Sequence, residues 1–365
     1  MEHDPLAIAA RFDLGGRAIE AAPYGSGHIN DTFLSMVRTA GGLRRFVHQR
    51  VNHNVFKQPE QVMENIERVT VHLRRKIVQA GGDADRQTLN LVRTGDGKTF
   101  FRDEDGNYWR TYLFIEGART YDVVENPDHL YRASRAFGKF QKMVSDLPAP
   151  RLHETIPDFH NTRWRYQQFT DALRADNRNR AATARPEIDF ILARQDDAPV
   201  LVDLLDAGRT PERIVHNDTK FNNVMIDDAT GEAVCVVDLD TVMPGLPMYD
   251  FGDSVRTGAC PAAEDERDLS KVRMELDLFE KLAAGYLEEA RGFLLPIEVD
   301  HLAFSARLIT LEQAMRFLAD YLAGDVYYKI HRPGQNLDRT RTQMEMVRDM
   351  EAKAEQMEAI IREYR

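Results

Sequence analysis

The sequence predicts an α+β fold in two parts: a five-stranded antiparallel sheet with one helix over about residues 15–116, then a mainly helical remainder. Lobes of 1–116 and 117–365 are therefore expected. Three observations predict it. Short apolar and β-branched runs bounded by turn residues dominate the first third. One stretch there changes to helical spacing, and beyond Pro127 helical spacing prevails with a single interruption.

Arg17–Pro23 is the first candidate strand, and the small-residue stretch Tyr24-Gly25-Ser26-Gly27-His28 follows it. Asp31–Arg38 and Arg44–Val51 come next, joined across Thr39-Ala40-Gly41-Gly42 as a hairpin. After Gln58-Pro59, Val62, Ile66, Val69, Leu73 and Ile77 recur at helical spacing until Gly81-Gly82 ends the pattern. Strands around Lys98–Arg102 and Tyr108–Ile115, separated by Asp105-Gly106-Asn107, complete the sheet. In the second part Arg213–Val242 departs from helix, with Ile214-Val215, Val224-Met225-Ile226 and Val234–Val237 flanking polar loops. Arg339–Arg365 reads as one charged helix whose stripe of Val347, Met350, Ala354, Met357 and Ile361 packs on the body. The arginines of Arg151–Pro186 have acids interleaved and few aromatics, the pattern of a solvated helical surface.

Fifty-nine Asp and Glu against 48 Lys and Arg leave a net charge of −11, which speaks against a nucleic-acid partner, since a polyanion needs a basic face. A small phosphorylated ligand needs only local positive charge or a metal ion. Cys235 and Cys260 cannot make a disulfide framework, and no Cys/His spacing resembles a zinc site, so a reducing cytoplasm is expected. The opening Met1-Glu2-His3-Asp4-Pro5 carries acid where a secretory leader carries Lys or Arg. No run reaches the roughly 20 apolar residues of a membrane span. The expectation is a monomer or homodimer acting on a small molecule, with no nucleic-acid or membrane partner.

Chemistry concentrates in Ile214-Val215-His216-Asn217-Asp218-Thr219-Lys220-Phe221-Asn222-Asn223-Val224-Met225, followed by Val236-Val237-Asp238-Leu239-Asp240-Thr241-Val242. An apolar strand runs into a His-x-Asp loop with an Asn five residues after the Asp. A hairpin then returns to a second strand that ends in acid. Phosphoryl transfer from ATP needs a carboxylate to orient an acceptor hydroxyl and hard oxygen ligands to hold Mg²⁺ against the phosphates. Asp218 suits the first task, and Asn223 with Asp238 the second. The His-x-Asp-x₄-Asn spacing with a later Asp matches the kinase catalytic loop and metal-binding Asp.

With these motifs the chain resembles the aminoglycoside phosphotransferase/choline kinase superfamily, small-molecule kinases of protein-kinase-like fold. The strings Tyr24–Thr32, Phe46–Asn52, His216–Met225 and Val237–Gly245 are most similar to the N-acetylhexosamine 1-kinase group within it. Phe114–Gly117 and Tyr249–Asp253 are weaker echoes. The resemblance implies a bilobal fold, ATP and Mg²⁺ as cofactors, and Asp218 as the catalytic carboxylate. It implies Asn223 and Asp238 as metal ligands and Gly25, Ser26 and Gly27 over the phosphates. Glu116 would lie in the hinge meeting adenine, and Asp250 would order the catalytic loop. Transfer to the anomeric hydroxyl of an N-acetylhexosamine or related sugar is the implied reaction, with an aminoglycoside, choline or homoserine as the alternative acceptor.

One departure accompanies the resemblance. The lysine that such kinases carry on the third strand is missing from Phe46-Val47-His48-Gln49-Arg50. Side chains alternate along a strand, so only one of Gln49 and Arg50 can reach the nucleotide: alignment favours Gln49 and charge favours Arg50. Glu64 is preferred over Glu60 and Glu67 as the helical partner.

His216 reads as a structural residue holding its loop, Cys235 as core, and Asp227 and Asp228 as solvated turn residues. Asp240 is left open between orienting the metal shell, binding sugar hydroxyls and pairing with a base. Glu312 and Arg316 read as a surface i,i+4 pair, with a substrate contact as the minor alternative. Asp238-x-Asp240 also fits the nucleophile motif of Asp-x-Asp phosphatases, but that fold needs parallel strands afterwards, and residues 243–365 read as helical. Finally, His216–Asp253 holds eight acids against Lys220 alone, a local surplus expected to repel ATP unless Mg²⁺ binds there.

Overall fold

A computed structural model of the chain describes residues 4–25, 29–122, 124 and 126–365. The fold is α+β. It divides into two compact units, one of Met1–Thr120, Met143–Pro157 and Val224–Met243, the other of Tyr121–Lys142, Asp158–Asn223 and Pro244–Arg365. Neither unit is continuous in sequence.

The first unit opens with a short helix, α1 (Pro5–Ala9), capped where the Asp4 carboxylate accepts from the backbone N–H groups of Leu6 and Ala7. A sheet of six strands follows: β1 (Gly16–Pro23), β2 (Asp31–Thr39), β3 (Gly42–Val51), β4 (Leu91–Val92), β5 (Phe101–Arg102) and β6 (Tyr108–Leu113). Their order is β1-β2-β3-β6-β4 with β5 also on β6, and every pairing is antiparallel. Alternation chooses the faces. Phe46 and Val37 turn inward onto Trp109, under Ile8, Phe12 and Leu14 from the N-terminal segment. The sixth strand, Leu91–Val92, is too short to show a period of two, and the strand read at Lys98–Arg102 contracts to Phe101–Arg102. The helix after Pro59, α2 (Pro59–Gln79), buries Val62, Ile66, Val69, Leu73 and Ile77. It stops where Gly81 takes φ 76° and the Gly82 N–H returns to the Ile77 carbonyl. A second sheet joins Ala118–Arg119, Val224–Asp227 and Ala233–Val236.

The second unit is helical around Leu302–Ala323. Leu308, Leu311, Ala314, Met315, Phe317, Leu318 and Leu322 are all buried, so this helix has little solvent face. The helix Pro247–Gly258 lies against it at Gly252, where any Cβ would come within 2.6 Å of the Ser305 carbonyl oxygen. The C-terminal segment forms two helices, Gln335–Ala352 and Ala354–Tyr364, rather than one. Both keep the expected stripe, with Val347, Met350, Met357 and Ile361 buried, and the break falls at Lys353, whose ammonium donates to the Met274 carbonyl at 2.7 Å. Among the described residues no helix is long and apolar enough to cross a membrane.

Candidate active site

In the helical unit the strand Arg213–Val215 delivers the chain into the loop His216–Asn223. Asp250, on the helix Pro247–Gly258, holds that loop by its backbone. Its two carboxylate oxygens accept from the backbone N–H groups of His216 at 2.9 Å and Asn217 at 2.7 Å, and the Gln141 amide donates to the first of them. Burial raises the Asp250 pKa, against the opposing pull of His216 and those N–H groups. One turn on, Asp253 accepts from the Thr219 N–H at 2.9 Å and pairs with Arg256 at 2.8 Å. Burial opposes its charge, but Arg256 and His160 win and hold its pKa low.

His216 is fully buried between Phe137 and Phe140, and its Nδ1 accepts from the Asp218 N–H at 3.3 Å, the structural role expected of it. Asn217 sits at φ 65°, a region Asn tolerates better than most residues. The loop so fixed presents Asp218. Its Oδ2 accepts from Asn223 Nδ2 at 3.0 Å and its Oδ1 lies 3.1 Å from Lys220 Nζ. Asn223 Nδ2 also donates to the Asp218 carbonyl at 2.8 Å, which leaves the amide oxygen as the hard donor on the other side of the group.

The same unit holds a buried polar cluster around Glu312 and Arg316 whose other members, His160 and Arg165, the sequence reading did not connect with them. His160 faces the Asn217 carbonyl at 3.1 Å through Nε2 and Glu312 Oε1 at 2.9 Å through Nδ1. Arg316 lies 3.9 Å from the same Glu312 oxygen and stacks near Phe159 and Tyr328. Glu312 and Arg316 are thus not a surface pair: their helix is packed on all sides, and the Glu312 side chain is 1% exposed. Its second oxygen, Oε2, is buried without a hydrogen-bond partner. Arg165 is half-buried, donating to the Phe159 carbonyl, and its partial burial together with Arg316 lowers its pKa. Arg163, Arg174 and Arg185 make the ion pairs of an ordinary helical surface, whereas Arg180 is half-buried, pairing with Asp325 and lying over Tyr321.

In the sheet unit the hairpin register pairs Val224 with Val236, so the chain enters this hairpin from Asn223 and leaves it towards Asp238. Asp238 is exposed and takes φ 58°. Asp240, two residues on, is buried against Arg110 of β6, whose Nη1 donates to Oδ1. Asp240 Oδ2 accepts from Asn30 Nδ2 at 2.7 Å. Arg110 Nε and Nη2 also donate to Gln49 Oε1 at 3.0 and 2.8 Å. Burial opposes the Arg110 charge, yet Asp240, Tyr112 and Asp238 outweigh it and raise its pKa. The Tyr112 hydroxyl is buried here without a hydrogen-bond partner.

Of the alternatives open for Asp240, pairing with a base is therefore present. Gln49 and Arg50 do face opposite ways: Gln49 meets Arg110, while Arg50 Nε donates to Asp31 at 2.7 Å. Glu64 accepts from His153 Nε2 at 2.8 Å, and Glu67 pairs with Arg93. The helix instead reaches the Asp238–Val242 turn through Asn65, whose Nδ2 donates to the Val242 carbonyl at 3.1 Å. Glu116 pairs with Arg45, which lies over Phe114 at 3.9 Å. Gly25 takes φ 80°, whereas Ser26 and Gly27 lie outside the described residues.

The acidic surplus of His216–Asp253 reads differently in three dimensions. Asp227 pairs with Arg86, Asp228 with Arg119, Asp240 with Arg110 and Asp253 with Arg256. Asp228 is a turn residue as expected, while Asp227 ends the strand Val224–Asp227, and neither is merely solvated. Half of the eight acids have arginines brought to them from outside the segment, so the count alone no longer argues for a metal. The donor types still do. Asp238 and the Asn223 amide oxygen are hard ligands, and among the described residues no cluster of three His, Cys, Asp or Glu exists to hold a cation by itself.

Residues 20–284 match the sequence profile of the phosphotransferase enzyme family. Similar solved structures include a microcompartment-associated aminopropanol kinase, 14% identical over 97% of both chains with a TM-score of 0.60. An amicoumacin kinase in complex with AMP-PNP and Ca²⁺ is 12% identical over 93% of this chain and 92% of that one, with a TM-score of 0.59. An aminoglycoside phosphotransferase of Alicyclobacillus acidocaldarius is 13% identical over 100% of this chain and 96% of that one, with a TM-score of 0.55. At such identities these likenesses concern the fold.

Proposed function

Since the chain belongs to the phosphotransferase enzyme family, we propose that it is an ATP- and Mg²⁺-dependent kinase of a small molecule, with the anomeric hydroxyl of an N-acetylhexosamine or related sugar as acceptor. The observation that carries the reading is the Asp218 loop, fixed by Asp250 and Asp253 through backbone N–H groups and held at its carboxylate by Asn223 and Lys220.

In this reading Asp218 accepts the proton of the acceptor hydroxyl as its oxygen bonds to the γ-phosphorus and the bond to the β-phosphate oxygen breaks, releasing ADP. Lys220 and Asn223 keep the Asp218 carboxylate oriented, so that positioning supplies much of the rate. Asn223 Oδ1 and Asp238 would hold Mg²⁺, which when bound neutralises phosphate charge. The Gly25 stretch would cover the phosphates, and Phe114–Glu116 would meet the base. Arg316, His160 and Glu312 would face the acceptor, and the unused Glu312 Oε2 offers an acceptor to a sugar hydroxyl.

The charge of that cluster favours a neutral acceptor over choline or an aminoglycoside. Two arginines, Arg165 and Arg316, act on the single Glu312 carboxylate, a poor setting for a cation. An ADP-release screen over N-acetylhexosamines, hexoses, amino alcohols and aminoglycosides, with phosphorus NMR of the product, decides it. Phosphate on the anomeric oxygen is expected. Phosphate on O6 or on a non-sugar would overturn the acceptor, and hydrolysis of p-nitrophenyl phosphate without ADP release would overturn the kinase. Asp218→Asn should lower kcat by about 10²–10⁴-fold while leaving nucleotide binding close to wild type.

A further inference from the structure

We propose that Arg110 is a positioning residue: a buried strut that holds the Asp238–Val242 turn so that Asp238 can meet a divalent cation, in place of the strand lysine this chain lacks. The proposal rests on the kinase reading above.

The register sets Arg110 directly opposite Gln49, the position where alignment puts the missing lysine. The guanidinium therefore starts one strand away and reaches the same face. Its side chain is 1% exposed, and a charge so buried persists only when its donors are met. Nε and Nη2 are spent on Gln49, and Nη1 on Asp240. Asp240 is in turn held by Asn30, at the far end of the glycine stretch.

The rest of the turn is gripped as well. Thr155 donates to the Asp240 carbonyl at 2.8 Å and Asn65 to the Val242 carbonyl at 3.1 Å. What this clamp leaves exposed is its first residue, Asp238, in a left-handed conformation that a non-glycine residue keeps only where the surroundings impose it. Glu64, the expected partner of a strand lysine, is turned to His153 and takes no part. The lysine–glutamate pair has been replaced by an arginine–aspartate pair whose acid lies in the turn itself.

The test is titration of a fluorescent ADP analogue with and without Mg²⁺, on wild type, Arg110→Gln, Arg110→Lys and the double variant Arg110→Gln/Asp240→Asn, with thermal unfolding to establish that each is folded. Metal-free affinity should stay close to wild type in all of them. The gain in affinity on adding Mg²⁺ should fall about tenfold or more in Arg110→Gln. Arg110→Lys, which keeps the charge but cannot fork to Gln49 and Asp240 together, should fall less. The double variant guards against misfolding, because it leaves no lone buried carboxylate, and it too should lack the gain. A folded Arg110→Gln or double variant with the full Mg²⁺ gain would overturn the proposal. So would an equal loss with and without metal, which would make Arg110 a direct phosphate contact. Wild-type protein that binds no ADP at all would remove the kinase reading instead, and this proposal with it.

Discussion

Asp250 shows how one buried side chain can order a loop. Its two oxygens accept three donors: the backbone N–H groups of His216 and Asn217 and the amide of Gln141. Replacing it with Ala leaves all three unmet in a region without solvent, at a cost on the order of 3 kcal/mol. Urea denaturation of Asp250→Ala should read that loss, and Asp250→Asn, which keeps one acceptor oxygen, should lose less. Asp218, Asn223 and Asp238 could be named from the sequence because spacing along a short loop is a local property. Arg110, His160 and Asn65 could not, because nothing beside them in the chain marks them. Their partners are Asp240, Glu312 and Val242, brought near by folding.

At the scale of elements, β2, β3 and β6 share a buried polar rung. His48 sits between Ser35, 2.7 Å from Nε2, and Thr111, 2.8 Å from Nδ1. Burial pushes its pKa down to about 4. The unfolded chain therefore takes up a proton near pH 6.5 that the folded sheet refuses until about pH 4. The stability from this rung is full above pH 6.5 and is lost as pH falls to about 4, by as much as about 3 kcal/mol. Denaturant unfolding of wild type against His48→Leu across pH 4 to 7.5 checks it: the variant starts lower and lacks this part of the slope. In the helical unit the corresponding close approach is Gly252 against the Ser305 carbonyl. Gly252→Ala forces two helices apart and should cost about 1–3 kcal/mol in thermal or urea unfolding. Because that helix carries Asp250 and Asp253, ADP release should fall as well. The long strands and the helix after Pro59 were legible because they repeat a period several times. Leu91–Val92 and α1 are too short to do so.

For the whole molecule, the net charge of −11 rules little in and little out once the pairs are known. Four of the acids of the central segment are matched by arginines, three of them, Arg86, Arg110 and Arg119, from far away in sequence and the fourth, Arg256, from just beyond its end. The metal proposed above is therefore argued from the phosphates and the two hard donors rather than from bulk charge. Chelation of divalent ions should abolish ADP release, and added Mg²⁺ should restore it. Activity that persists in a chelator would leave Asn223 and Asp238 without their proposed role. The division into units belongs to this scale as well. Residues 143–157 and 224–243 group with the sheet rather than with the helices that flank them in the chain.

The sequence by itself determined the α+β class, the succession of strands and helices, and the loop that carries Asp218 and Asn223, with Asp238 following at a fixed distance along the chain. All of these are written in periodicity and spacing, which depend on neighbours a few residues away. Only the tertiary structure decided which charge answers which. Asp240 falls to Arg110, Glu312 is buried instead of exposed, and the absent lysine of β3 is answered by an arginine from β6. A buried ion pair is set by packing between segments distant in sequence, and no local pattern records it.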